Sequence, residues 1–138
     1  MNNERNEVSK YRFECAKEDL EASQIAFEHK KFKNSINRSY YAIFHSIRAM
    51  NALEGFDSKK HSGVISFFNH HFIKSGKINR MFSKIIENAF RIRNNADYQD
   101  FYIVSSGDAQ SQIENAHKFI ILIEEYLNRE WESQYKDD

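Results

Sequence analysis

The chain has 138 residues, room for one ordinary domain and too few for two large ones. Hydrophobic residues at 41 %, with twelve Phe and seven Tyr, and charged residues at 29 % supply a core and a surface to cover it, which excludes a disordered chain. Twenty Lys and Arg balance twenty Asp and Glu, which excludes a uniformly basic nucleic-acid binder and an acidic tail.

Proline is absent and glycine occurs four times, too few turn residues for a many-stranded β fold, so helices are expected. The first spans about residues 5–30 and carries Phe13, Ala16, Leu20 and Phe27 on one stripe. The second spans roughly 35–54, with Ile36, Tyr40, Ile43, Ile47 and Met50 inward, Asn34 or Ser35 as its cap, and Gly55 just past its end. A shorter third segment follows Asp57 and Ser58, turns Val64, Ile65, Phe68 and Phe72 inward and stops before Gly76, while Gly63 weakens its first turn. The fourth starts near Asn79 with Ile78, Phe82, Ile85, Ala89, Ile92 and Ala96 on its stripe. Residues 99–105 form an apolar, β-branched stretch that reads as an extended connection tucked against the bundle rather than a strand. The fifth helix starts near Ser106 with Ala109, Ile113, Ala116, Ile120, Ile123 and Leu127 inward. The expectation is an all-α, up-and-down bundle of four main helices plus a shorter fifth, one domain over residues 1–138.

Cys15 alone makes no intrachain disulfide, and neither a signal peptide nor an apolar run of membrane-spanning length is visible, so a cytoplasmic protein without a membrane role is expected. Zero net charge hides an asymmetry. Residues 59–96 carry eight basic side chains against Glu87, a balance of +7, and residues 97–138 carry three against ten acids, a balance of −7. Two readings stand level: the basic third steers a polyanion, or basic helix four lies beside acidic helix five and each neutralises the other.

The end of the fourth helix, Arg91-Ile-Arg-Asn-Asn-Ala-Asp-Tyr98, is dense in hydrogen-bonding groups. On a helix Arg93 and Asp97 form an i, i+4 pair, and Arg91, Asn95 and Tyr98 share a face. A guanidinium oriented by a carboxylate suits a phosphodiester, because its planar donors take two oxygens at once. The plain alternative is a surface ion pair beneath a packing tyrosine. Lys60 and His61 stand where a helix start would receive phosphate, although capping or packing explains His61 as well. Tyr41 and His45 are i, i+4 and, with Tyr40, lie within reach of this motif or belong to an aromatic core stripe. Adjacent His70 and His71 point apart on a helix, so no metal ligand set and no cofactor is assigned, and Cys15 has no activating base in its helical register.

Three segments in order, Asn37-Arg-Ser-Tyr-Tyr-Ala-Ile-Phe-His-Ser-Ile-Arg-Ala49, Lys60-His-Ser-Gly-Val-Ile-Ser66 and Arg93-Asn-Asn-Ala-Asp-Tyr98, resemble the HEPN domain over about residues 8–128. The likeness is to the branch long labelled as an uncharacterised protein family and often encoded beside a minimal nucleotidyltransferase. The resemblance implies a helical bundle, usually dimeric, and in many members metal-independent RNA cleavage by toxins, with an arginine on phosphate and a histidine four to six residues later assisting proton transfer. Here Ala96 stands where that histidine would be, and Asp97 would replace it only with a raised pKa that Arg93 opposes. The implied site is Arg93, Asp97 and Tyr98, with Arg91, Lys60 and His61 toward phosphate and Tyr41 and His45 as secondary candidates. The expected function is RNA or nucleotide binding or cleavage as the toxin-like half of a pair with a nucleotidyltransferase. Two alternatives are a non-catalytic adaptor docking that partner, with Tyr98 as a nucleotidyl acceptor, and a structural homodimer without ligand.

Overall fold

The computed structural model describes residues 2–136, and side chains over 3–133. Helices α1 (Asn2–Glu28), α2 (Phe32–Ala52), α3 (His61–Phe68), α4 (Phe82–Tyr98) and α5 (Ser106–Lys136) follow one another, and among the described residues there is no strand. The four long helices alternate in direction and α3 is the short one, as the hydrophobic periodicity predicts. Ser23 meets Ser35 and Ser9 meets Ala49, so α1 and α2 are antiparallel; Asp97 meets Asn37, so α4 opposes α2; Trp131 meets Ser9, so α5 opposes α1.

The predicted stripes form one core that holds Phe13, Ile43, Ile47, Met50, Val64, Phe68, Ile123 and Leu127. Phe119 and Ile86, off those stripes, are also buried there. A smaller cluster at the far end joins Ile36, Ala96 and Ala109, with Phe27, Ile92, Tyr102 and Val104 packed on it. Trp131 covers the opposite end, its ring 6.3 Å from Phe13 and its indole N–H donating to Ser9 Oγ at 3.1 Å.

The seam between α1 and α2 is made of small residues. Ser9, Ala16 and Ser23 recur every seven positions on α1, and Ser35, Ala42 and Ala49 do so on α2, each with no exposed surface. Ser9 Oγ donates to the Ala49 carbonyl at 2.8 Å, Ser23 Oγ to the Ser35 carbonyl at 2.8 Å, and Ser35 Oγ to the Ser23 carbonyl at 2.9 Å. Ser35 is therefore inside α2, committed to the seam. The cap position falls to Lys31, without a side-chain hydrogen bond, and the expected Asn34 or Ser35 cap is corrected.

Gly55 and Gly76 take φ +70° and +86° after α2 and after the third segment, the left-handed turns their positions predict. That third segment continues beyond α3 as a π-helical turn over Asn69–Ile73, and α4 begins three residues later than expected because Asn79–Met81 form a turn. In the connection 99–105, Tyr102 and Val104 pack inward while Phe101 and Ile103 point out, so only half of it is tucked against the bundle. Among the described residues no helix is long and apolar enough to cross a membrane.

Candidate functional site

Helix α2 turns Asn37, Tyr41, His45 and Arg48 to one face, at steps of four, four and three, with Arg38 alongside. Helix α4 sets Arg93 and Asp97 over the start of that row, α1 brings Asp19 and Arg12 to its side, and His61 opens α3 next to it.

Arg93 is the junction. Its side chain is 14 % exposed, and its Nε lies 2.9 Å from Asp97 Oδ2, the predicted i, i+4 pair. That Nε–H points off the line to the carboxylate, so charge holds the pair and the buried Nε keeps no hydrogen-bond acceptor. The remaining donors make long contacts, to Tyr41 Oη at 3.4 Å and Asn94 Oδ1 at 3.3 Å. Three rings surround the guanidinium, Tyr40 at 5.2 Å, Tyr41 at 5.6 Å and Tyr98 at 5.9 Å. Asp97 also accepts from Asn37 Nδ2 at 3.4 Å, and Asn37 Oδ1 accepts from Arg38 at 2.8 Å.

The row runs on as alternating charge. Arg38 donates to Asp19 at 2.9 Å, His45 Nε2 lies 3.7 Å from Asp19, and Asp57 Oδ2 receives both Arg48 and Arg12 at 3.2 Å. Burial, then Arg48, Arg38, His61 and Arg12, push the His45 imidazole down to about 4, so it is neutral at pH 7. Burial also lifts the Asp19 carboxyl above its usual range, with Arg38 opposing. His61 stacks on Phe44 at 4.2 Å, and its Nδ1 lies 2.8 Å from the Tyr40 hydroxyl. Burial, with Arg93 and Arg48, lowers the His61 pKa too, and burial raises that of Tyr40, so both are uncharged at neutral pH.

The predicted residues divide. Arg93, Asp97, Tyr41, His45 and His61 come together with Tyr98, which is 75 % exposed at the rim. Arg91, two positions from Arg93 and so about 200° round the helix, is exposed and donates to Asn88, outside this cluster. Lys60 is the exposed residue before α3, its amide N–H donating to Ser58. Ala96 is buried against Ile36 and Ala109, a position that faces core and leaves no room for a histidine. Asn37, Arg38, Arg48, Asp19 and Arg12 were not among the predicted site residues, and the 4, 4, 3 spacing on α2 was the signal for Asn37 and Arg48. Among the described residues no ion pair joins α4 to α5. Among the described residues no three His, Cys, Asp or Glu gather as a metal site.

The model of the HEPN domain matches residues 9–126. A protein of Methanocaldococcus jannaschii named "Putative toxin" is 36 % identical over 114 residues, covering 83 % of this chain and 84 % of its own. A "UPF0332 protein" of Thermotoga maritima is 29 % identical over 125 residues, covering 91 % and 95 %. A second protein with that family label, from Pyrococcus horikoshii, is 40 % identical over 80 residues, covering 58 % and 56 %. With a family model spanning most of its length and that spacing of Arg93, Asp97 and Tyr98 at the end of α4, this chain belongs to the HEPN domain family.

Proposed function

We propose that this chain binds RNA through a backbone phosphate at Arg93, as the toxin-like half of a pair with a nucleotidyltransferase, and that it acts as a homodimer. The observation that carries the RNA reading is the state of Arg93: fixed by Asp97 and three rings, with its two terminal nitrogens in long, exchangeable contacts at 3.3 and 3.4 Å. A phosphodiester supplies two oxygens for those donors, and the +7 balance of residues 59–96 draws it in. The toxin-like role is supported by the relative whose printed name carries that word.

Asp97 orients Arg93, and Lys60, exposed just before α3, adds positive charge to the approach. For a cleavage step the proton acceptor is His61, uncharged at neutral pH, whose Nε2 takes a proton in the tautomer whose Nδ1–H donates to the Tyr40 hydroxyl. Asp97 is already committed to Arg93 and Asn37.

The test is fluorescence anisotropy with a labelled single-stranded RNA across a salt series, with gel analysis for cleavage. Wild type binds with an affinity that falls steeply with salt, and Arg93→Ala abolishes binding; unchanged binding in that variant refutes the reading.

Exposure of the Tyr98 hydroxyl supports a second reading, a nucleotidyl acceptor on a non-catalytic adaptor. The phenolic oxygen would attack the α-phosphorus of ATP on the partner enzyme, releasing pyrophosphate and a proton. Intact mass shows one added nucleotide in wild type and none in Tyr98→Phe; an addition that survives the substitution dismisses it.

A further inference from the structure

A groove of about 1220 Å³ opens between α3 with its π-helical extension and the first two turns of α4. Its floor is aliphatic, Ile65, Ile73, Ile78 and Ile86, and ends on Phe90. Lys74 and Arg80 line it as well, two cations against the single carboxylate of Glu87. Among the described residues neither is in an ion pair, whereas Arg12, Arg38, Arg48 and Arg93 each lie within 3.2 Å of a carboxylate. Met81 beside them is 63 % exposed. The surface calls for a ligand that is apolar and acidic together.

The same chain carries such an element at the other end of α4. In the connection 99–105 Phe101 is 99 % and Ile103 87 % exposed, the alternation of an extended segment whose Tyr102 and Val104 are anchored inward. Phe101 also holds φ +61°, a left-handed conformation costly for a bulky residue, so strain is spent to present an aromatic ring to solvent. Asp97, Asp100 and Asp108 flank the pair, and no Lys or Arg occurs between Arg93 and Lys118.

We propose that the 99–105 connection of one copy seats Phe101 and Ile103 in the α3–α4 groove of a second copy, with Asp100 against Lys74 and Arg80, and that the contact is reciprocal. Groove and plug sit at opposite ends of α4, 17 residues or about 25 Å long, so setting two α4 helices antiparallel about a two-fold axis fills both grooves in one closed contact. An aliphatic floor suits apolar side chains better than nucleobases, which stack on aromatic rings. This goes beyond the phosphate reading by naming which surfaces of two copies meet, and it does not depend on Arg93.

Sedimentation velocity over a micromolar concentration series tests it. Wild type sediments as a dimer; Phe101→Asp with Ile103→Asp weakens association at least about tenfold, with circular dichroism unchanged because both side chains lie outside the core. Asp100→Lys alone, and Lys74→Glu with Arg80→Glu, each give monomers, and mixing these two restores a heterodimer because opposite charges then face each other at both contacts. A monomeric wild type, a dimer that survives all three variants, or a mixture that stays monomeric overturns the proposal. So does a groove that takes RNA instead, seen as monomeric wild type whose RNA affinity falls in Lys74→Glu with Arg80→Glu. The inference rests on the homodimer part of the proposed function: a monomeric wild type overturns both, a dimer that survives all three variants overturns these surfaces alone, and Arg93→Ala is read in RNA binding alone.

Discussion

The Tyr40 hydroxyl and His61 Nδ1 stand 2.8 Å apart, tying the middle of α2 to the first residue of α3. Gly55 and its neighbours leave α3 joined to α2 by an irregular segment, so this contact fixes where the imidazole sits relative to Arg93. Tyr40→Phe keeps the ring and removes the hydroxyl, and is expected to cost about 1–2 kcal/mol in urea unfolding. Nitrogen chemical shifts of the His61 ring should report a changed balance of tautomers; an unchanged ring spectrum would show that the phenol does not set it.

Acid should weaken the fold through His45. Its pKa falls from the usual 6.5 to about 4 on folding, so the unfolded chain binds the extra proton. The stability it contributes is full above about pH 6.5 and is lost as pH falls toward 4, an upper bound of about 3 kcal/mol for a largely buried ring. Asp19, whose carboxyl is held above its usual range, works in the opposite sense at its own, more acidic window. Thermal unfolding at pH 7, 6 and 5 should show a falling midpoint in wild type and a flatter profile in His45→Asn.

A methyl group on Gly63 would meet Ser58 Oγ at 2.7 Å and its Cβ at 3.2 Å. Ser58 Oγ accepts the Lys60 amide N–H at 3.2 Å, so displacing Ser58 disturbs the residues that lead into His61. Gly63→Ala is expected to lower stability by about 1–2 kcal/mol and to weaken RNA binding. Adding Ser58→Gly removes both colliding atoms together with the acceptor of the Lys60 amide, so it should recover part of the stability and binding; a double variant no better than the single would place the damage elsewhere.

Arg93→Lys keeps the charge and loses the planar fork that sits among Tyr40, Tyr41 and Tyr98. The expected result is RNA affinity reduced by about tenfold, between wild type and Arg93→Ala, with the salt dependence little changed. Equal affinities for Arg93→Lys and wild type would mean that a point charge suffices there.

The apolar periodicity made the four long helices legible, because Ile36 through Met50 and Ala109 through Leu127 turn hydrophobic residues inward at helical spacing. It concealed the α1–α2 seam, whose heptads are serine and alanine and register as polar or neutral residues in any hydropathy pattern. The Arg93–Asp97 pair was legible as a local i, i+4 relation. Asp19 and Arg12 were not, since nothing in the order of residues says that α1 lies beside Arg38 and Arg48 until the antiparallel register of the seam is known. The π-helical turn over Asn69–Ile73 likewise carries no Gly or Pro to announce it.

That seam sets an order of assembly. Only Lys30 and its two neighbours separate α1 from α2, so their contacts close a short loop at little entropic cost, and the serine bonds reward one register over its neighbours. The pair is the expected folding nucleus, with its amides the slowest to exchange with solvent. Helix α4 rests mainly on α2 and lightly on α5. Arg93 is thus carried by an element outside the expected nucleus and reaches the hairpin through a long 3.4 Å contact to Tyr41, so amides of α4 should exchange ahead of those in the α1–α2 seam.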